Sequence, residues 1–133
     1  MDARLTAIAQ RCLDSAKDNA MTFPQVVGTL SEAGFERYVV DFQGGVVTYY
    51  LQSGDSVALE AGTPHDPVAA RFDAVAIQAA IREAQALVPG YTYQGFCAKV
   101  TAAGCAGYMV SLLGRRAVYF GRTAETHVEL FPT

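Results

Sequence analysis

The run Gly121-Arg122-Thr123-Ala124-Glu125-Thr126-His127-Val128-Glu129 crowds both charge signs and a histidine into one short stretch. On a strand, alternation places Glu125, His127 and Glu129 on one face and Thr126, Val128 and Leu130 on the other. An imidazole held by two carboxylates favours its protonated form and can act as a base or bind a ligand. Arg122 precedes them by a short turn, and Tyr49 or Tyr119 across the sheet would form the apolar wall of the same groove. The plainer reading is a half-exposed strand with its charges outward and Val128 and Leu130 packing inward, as a sheet covered on one side demands.

Other chemistry is thinner. Arg115-Arg116, with Arg122 nearby in sequence, could form an anion pocket beside a hairpin turn, because guanidinium forks suit phosphate and carboxylate alike. The alternative is that these arginines solubilise an exposed turn. His65 and His127 are the only histidines, and no Cys/His pair has zinc-site spacing, so no metal is expected. His127-Val128-Glu129 matches the His-x-Glu of zinc deaminases, but their Pro-Cys-x-x-Cys is missing. No nucleophile elbow, Walker loop or Rossmann glycine pattern occurs, and no cofactor is expected. Cys97 and Cys105 have neither a helix N-terminus nor an adjacent cation to activate them.

Tyr38, Tyr49, Tyr50, Tyr108, Tyr119 and Phe120 are first of all packing residues. A buried tyrosine hydroxyl still needs a partner. Tyrosines from two related halves could therefore line a ligand cleft at a pseudo-symmetry axis.

Those halves are visible in the chain. At an offset of 70, Thr22–Phe23, Ala33–Gly34, Tyr38, Val40, Gly44 and Tyr49–Tyr50 fall on Thr92–Tyr93, Ala103–Gly104, Tyr108, Val110, Gly114 and Tyr119–Phe120. Caps, turns and aromatic positions kept in phase point to an internal duplication. Leu5, Ile8, Ala9, Cys12, Leu13 and Ala16 mark an amphipathic helix that Asp2 can cap. Thr22 and Gln25 form a capping box with Met21 and Val26 as its staple, and the helix they open stops at Gly34. In the second copy Thr92 caps and Gly104 stops, but Gly95 replaces the glutamine, so this helix is expected to start less firmly.

Beyond each glycine the period becomes two. Tyr38, Val40 and Phe42 form one strand face, and Gly44-Gly45 signals a two-residue hairpin before Val46–Leu51. Tyr108, Val110 and Leu112 repeat the pattern, with Gly114-Arg115 a looser turn before Arg116–Phe120. Third strands follow at Ser56–Leu59 and Glu125–Phe131. Gly62–Asp66 reads as a linker, Asp66-Pro67 as a turn, and Asp73 as the cap of a helix ended by Pro89-Gly90. The expectation is an α+β fold of duplicated helix-helix-strand-strand-strand units, an antiparallel sheet with helices on one face. It is one domain over residues 1–133, with repeats at about 1–60 and 70–133.

At 133 residues with 51% hydrophobic and 17% charged side chains, the chain can bury a core and is not disordered. No apolar run approaches the roughly 18 residues of a membrane span. An acid at position 2 argues against a signal peptide, and three unpaired-looking cysteines suit a reducing cytoplasm. Residues 1–66 carry four Lys/Arg against nine Asp/Glu, and residues 67–133 carry six against four, giving −5 and +2. That basic excess is too small for general nucleic-acid binding. It does suit attraction between the halves, or a head-to-tail homodimer.

The run from Ala102 to Tyr108 and from Gly114 to Glu129 resembles the YdfO-like family, a prophage-associated domain of unknown function sometimes labelled phage envelope protein. The resemblance covers essentially the whole chain and is densest over residues 92–132. It implies a cytoplasmic, duplicated α+β domain and supplies no catalytic residue. The functional expectation is a non-enzymatic binding or regulatory domain for an unknown small ligand or protein partner. The alternative is a small hydrolase or isomerase using His127 with Glu125 or Glu129.

Overall fold

The computed structural model describes residues 1–62 and 67–132. Helix α1 (Ala3–Lys17) opens where Asp2 Oδ1 accepts the Leu5 N–H at 2.8 Å, and it buries Ala9, Cys12 and Leu13. Helix α2 (Phe23–Glu32) carries the expected capping box, with the Thr22 N–H donating to Gln25 Oε1 at 2.8 Å and the Gln25 N–H to Thr22 Oγ1 at 3.4 Å. Gly34, at φ 94°, turns the chain out of the helix. Strands β1 (Phe35–Asp41), β2 (Val46–Leu51) and β3 (Ser56–Glu60) complete the first half. The second half runs α3 (Ala74–Ala86), α4 (Tyr93–Ala102), β4 (Cys105–Ser111), β5 (Arg116–Gly121) and β6 (Thr126–Leu130). From α4 onward each element lies 70 residues after its counterpart.

The six strands form one antiparallel sheet in the order β3-β2-β1-β4-β5-β6, with the halves joined through β1 and β4. Val39 lies opposite Met109, Tyr38 opposite Val110 and Val40 opposite Tyr108. Val39 thus pairs with its own counterpart, while Tyr38 pairs with the counterpart of Val40 and Val40 with that of Tyr38. This register requires an approximate twofold normal to the sheet, passing between Val39 and Met109. Inward side chains on both halves meet the helix layer, where Leu30, Phe35, Ile77, Val100 and Val110 are each at most 1% exposed. Burying each such side chain contributes about 1.5–3 kcal/mol.

Several local expectations are corrected. The β1–β2 connection is the four-residue Phe42–Gly45, not a two-residue hairpin: Asp41 Oδ1 takes the Gln43 and Gly44 N–H groups, both at 3.0 Å, and Gly45 closes the turn at φ 69°. The β4–β5 turn is built alike rather than more loosely. Ser111 Oγ accepts the Gly114 N–H at 2.8 Å, and Arg115 takes the left-handed conformation of Gly45 at φ 51°. Helix α3, capped by Asp73 as expected, ends at Ala86, two residues short of Val88, whose following proline disfavours the helical conformation there; Leu87 makes the exit at φ 47°. Helix α4 lacks the glutamine of a capping box but gains a cap from the other half, since Asn19 Oδ1 accepts the Tyr93 N–H at 2.9 Å. The linker expected over Gly62–Asp66, and His65 within it, fall beyond Gly62 outside the described residues.

Residues 67–73 run along the second half. The Ala69 N–H donates to the Thr101 carbonyl at 3.1 Å and the Asp73 N–H to that of Ala103 at 2.7 Å. Among the described residues no helix is long and apolar enough to cross a membrane.

Candidate functional site

Between the helix layer and the sheet lies a cavity of about 400 Å³. All four helices contribute to it, through residues such as Cys12, Val26, Ile81 and Phe96, and its sheet wall holds Tyr38, Tyr49, Tyr108 and Tyr119. These four tyrosines are two twofold-related pairs. Tyr38 faces Tyr49 across β1 and β2 with ring centroids 5.5 Å apart, and Tyr108 faces Tyr119 across β4 and β5 at 5.1 Å. Phe23 and Leu87 also line the cavity, and each is about half exposed, so the opening has an apolar rim.

The tyrosine hydroxyls are mostly free. Tyr93 and Tyr108 share one hydrogen bond at 2.7 Å. The hydroxyls of Tyr38, Tyr49 and Tyr119 find no partner among the described residues. None of them is sealed in packed protein either, so they open into the cavity. Burial pushes the pKa of all five hydroxyls up, and they stay protonated at neutral pH. For Tyr119 the nearby Cys105 and Glu129 charges add to the effect of burial.

The cluster in the C-terminal run is divided by the fold. His127 pairs with Tyr119 and Glu129 with Ala117, and paired residues share a sheet face, so both side chains point toward the helices. Val128 and Leu130 point outward and are 49% and 61% exposed, the reverse of a strand with charges out and valine in. His127 Nε2 lies 3.1 Å from Glu129 Oε2, while Arg82 of α3 brings Nη2 to 3.4 Å from Glu129 Oε1. Glu129 lines the cavity.

Glu125 does not join them. It sits in the β5–β6 turn, outside β6, and accepts the Thr123 hydroxyl at 2.7 Å. Arg122 is in the same turn, and its Nη1 donates to the Val68 carbonyl at 3.2 Å. Arg115 stands over the Phe131 ring at 5.4 Å, and Arg116 folds back on the Gly114 carbonyl at 3.1 Å. Arg122 lies past the far end of β5 from this pair, roughly 20 Å along the strand direction, so the three arginines form no common pocket.

The sequence reading passed over Asn19, Met21, Phe23 and Phe96 as cavity residues. One signal bearing on the site is present at the offset of 70: His127 and Glu129 fall on Val57 and Leu59, whose apolar nature marks that face as the inner one. The three cysteines are free thiols. Burial pushes Cys97 up to about 12 and Cys105 up to about 11, leaving both unreactive at neutral pH. Among the described residues no three His, Cys, Asp or Glu side chains gather where they could hold a metal ion.

The chain belongs to the family described as protein of unknown function (DUF1398), whose model matches residues 10–129. No curated protein matches the sequence.

Proposed function

We propose that this protein is a non-enzymatic binding or regulatory domain whose ligand is a small, largely apolar molecule seated among the four sheet tyrosines. The observation that carries the reading is the cavity of about 400 Å³ with three hydroxyls aimed into it and unpartnered. Ligand sites combine this kind of apolar enclosure with a few placed polar groups. The unreactive thiols and the diversion of Glu125 and Arg122 to other partners also support a binding role. A cytoplasmic, phage-associated setting, with the chain working as one domain, belongs to the same proposal. It rests on the resemblance of the C-terminal run and on the free cysteines.

One observation favours the second reading, a small hydrolase or isomerase: the 3.1 Å contact of His127 with Glu129 beside the cavity. The test is native mass spectrometry of protein purified from its own host, alongside Ala84→Trp, which fills the cavity from α3. A retained small mass in the parent that Ala84→Trp loses while staying folded supports binding. If the parent is empty and turns over a substrate that His127→Ala does not, the enzyme reading replaces it.

A further inference from the structure

We infer that the ligand of this cavity is an organic cation, a molecule with one positive charge on an aromatic-sized apolar body. The inference rests on the binding role proposed above and specifies its chemistry. Among the described lining residues Glu129 is the single charged side chain, and it is an anion. It is 13% exposed, so water screens its charge poorly on the cavity side. His127 and Arg82 each approach one of its oxygens, but a carboxylate offers about four acceptor positions, which leaves room for a further positive group beside it. Arg82 does not line the cavity, and its side chain is 62% exposed, so solvent damps its field more strongly.

The remaining walls point the same way. Aromatic faces carry negative potential, and they attract a cation that comes within about 6 Å of a ring centroid. Tyr38, Tyr49, Tyr108, Tyr119 and Phe96 line one space. The charge also has a direction. Leu59 stands in the twofold-related position, so the carboxylate belongs to one half only and the cavity is acidic on its β6 side. A cation would seat its charge toward β6, whereas an anion would meet the Glu129 carboxylate there and be disfavoured.

The test uses three probes of matched size on the full chain: phenyltrimethylammonium, tert-butylbenzene and benzenesulfonate, measured by calorimetric titration. The cation should bind at least about tenfold tighter than its neutral isostere, and the sulfonate should not bind. Glu129→Gln should bring the cation close to the neutral probe while leaving tert-butylbenzene unchanged, which also shows that the variant is folded. A neutral probe that equals the cation, a sulfonate that binds best, or a cation preference that survives Glu129→Gln overturns the cation inference and leaves the cavity's binding role intact. Failure of all three probes on the parent protein sinks both.

Discussion

Arg37 and Gly107 occupy the same position in the two halves, and each is paired across the sheet with an aromatic residue, Tyr50 or Phe120. In the first half the Arg37 guanidinium stacks over the Tyr50 ring at 3.8 Å. In the second the Phe120 ring drops onto bare backbone, and a Cβ on Gly107 would lie 2.6 Å from it. Leu51 and Gly121 differ in the same way: a Cβ at Gly121 would stand 2.7 Å from Phe72, in the segment that runs along the second half only. The inner face repeats the lesson, with Val57 and Leu59 of the first half answered by His127 and Glu129. Backbone symmetry is kept throughout. The residues that break it mark where something lies against one half and not the other: a chain segment, a ring or the acidic end of the cavity.

The largest expected effect comes from pH, and the halves share it unequally. Burial raises Cys12, Tyr38 and Tyr49 in the first half and Tyr91, Tyr93, Tyr108, Tyr119, Cys97 and Cys105 in the second. An acid with a raised folded-state pKa keeps its proton when folded and loses it when unfolded. Its contribution is therefore complete below the unfolded pKa and is lost as pH rises past it. Each group costs about 1.4 kcal/mol per pH unit beyond that point. The urea midpoint should hold to about pH 9 and then fall steeply, with unfolding by about pH 11. Tyr93→Phe with Cys97→Val, which gives the second half the residue types of Phe23 and Val27, should flatten the fall. A midpoint unchanged at pH 11 would refute the burial of these groups.

Next come the two helix-ending glycines. Gly34 and Gly104 have φ of 94° and 92°, but a Cβ at Gly34 meets nothing, whereas at Gly104 it would come within 2.0 Å of the Arg71 carbonyl oxygen. Gly34→Ala should cost about 1 kcal/mol from backbone strain alone, and Gly104→Ala at least about 3 kcal/mol. Equal losses in denaturant titrations would mean that residues 67–73 do not lie on the second half as described.

Much of this fold is legible in the chain because its determinants are local. The Asp2, Thr22, Asp73 and Thr92 caps act over three residues, the helix stripes over four, and the strand alternation over two. The orientation of β6 is not legible from its own residues. An edge strand reading Thr-His-Val-Glu-Leu offers two alternating faces, and the one holding valine and leucine is the natural inner choice. Only pairing with Tyr119 and Ala117, or alignment on Val57 and Leu59, fixes it the other way. The cavity is less local still, since it depends on the separation of two layers. Its tyrosines can be named from the sequence, but the space between them cannot.

The caps give a smaller effect and a sharper comparison. Helix α2 is closed by its own Gln25, and α4 by Asn19 from the other half, which reaches across 74 positions of sequence. Asn19→Ala should cost about 1 kcal/mol and speed amide exchange at Tyr93–Phe96, with α2 unaffected; Gln25→Ala should do the reverse at about half the size. Adding Gly95→Gln to Asn19→Ala should restore part of the loss by rebuilding the box. Exchange that rises equally in both helices would show that the two starts are not independently capped.

The smallest stability change belongs to Tyr49→Phe and Tyr119→Phe. Each removes a hydroxyl with no partner in the described protein, so each should alter stability by less than about 0.5 kcal/mol. Tyr108→Phe, which breaks the 2.7 Å bond to Tyr93, should cost about 1 kcal/mol and serves as the control. Binding should separate what stability does not. Tyr119 adjoins His127 at a ring distance of 6.4 Å, at the acidic end of the cavity, while its twin Tyr49 adjoins Val57. A ligand whose charge seats near Glu129 brings its polar group to Tyr119 and its apolar body toward Tyr49. Calorimetry with benzylammonium, whose N–H groups can donate to a tyrosine hydroxyl, should then show a several-fold loss for Tyr119→Phe and almost none for Tyr49→Phe. Equal losses would mean that the cavity is as symmetric in its chemistry as in its backbone, and that Glu129 gives the ligand no direction.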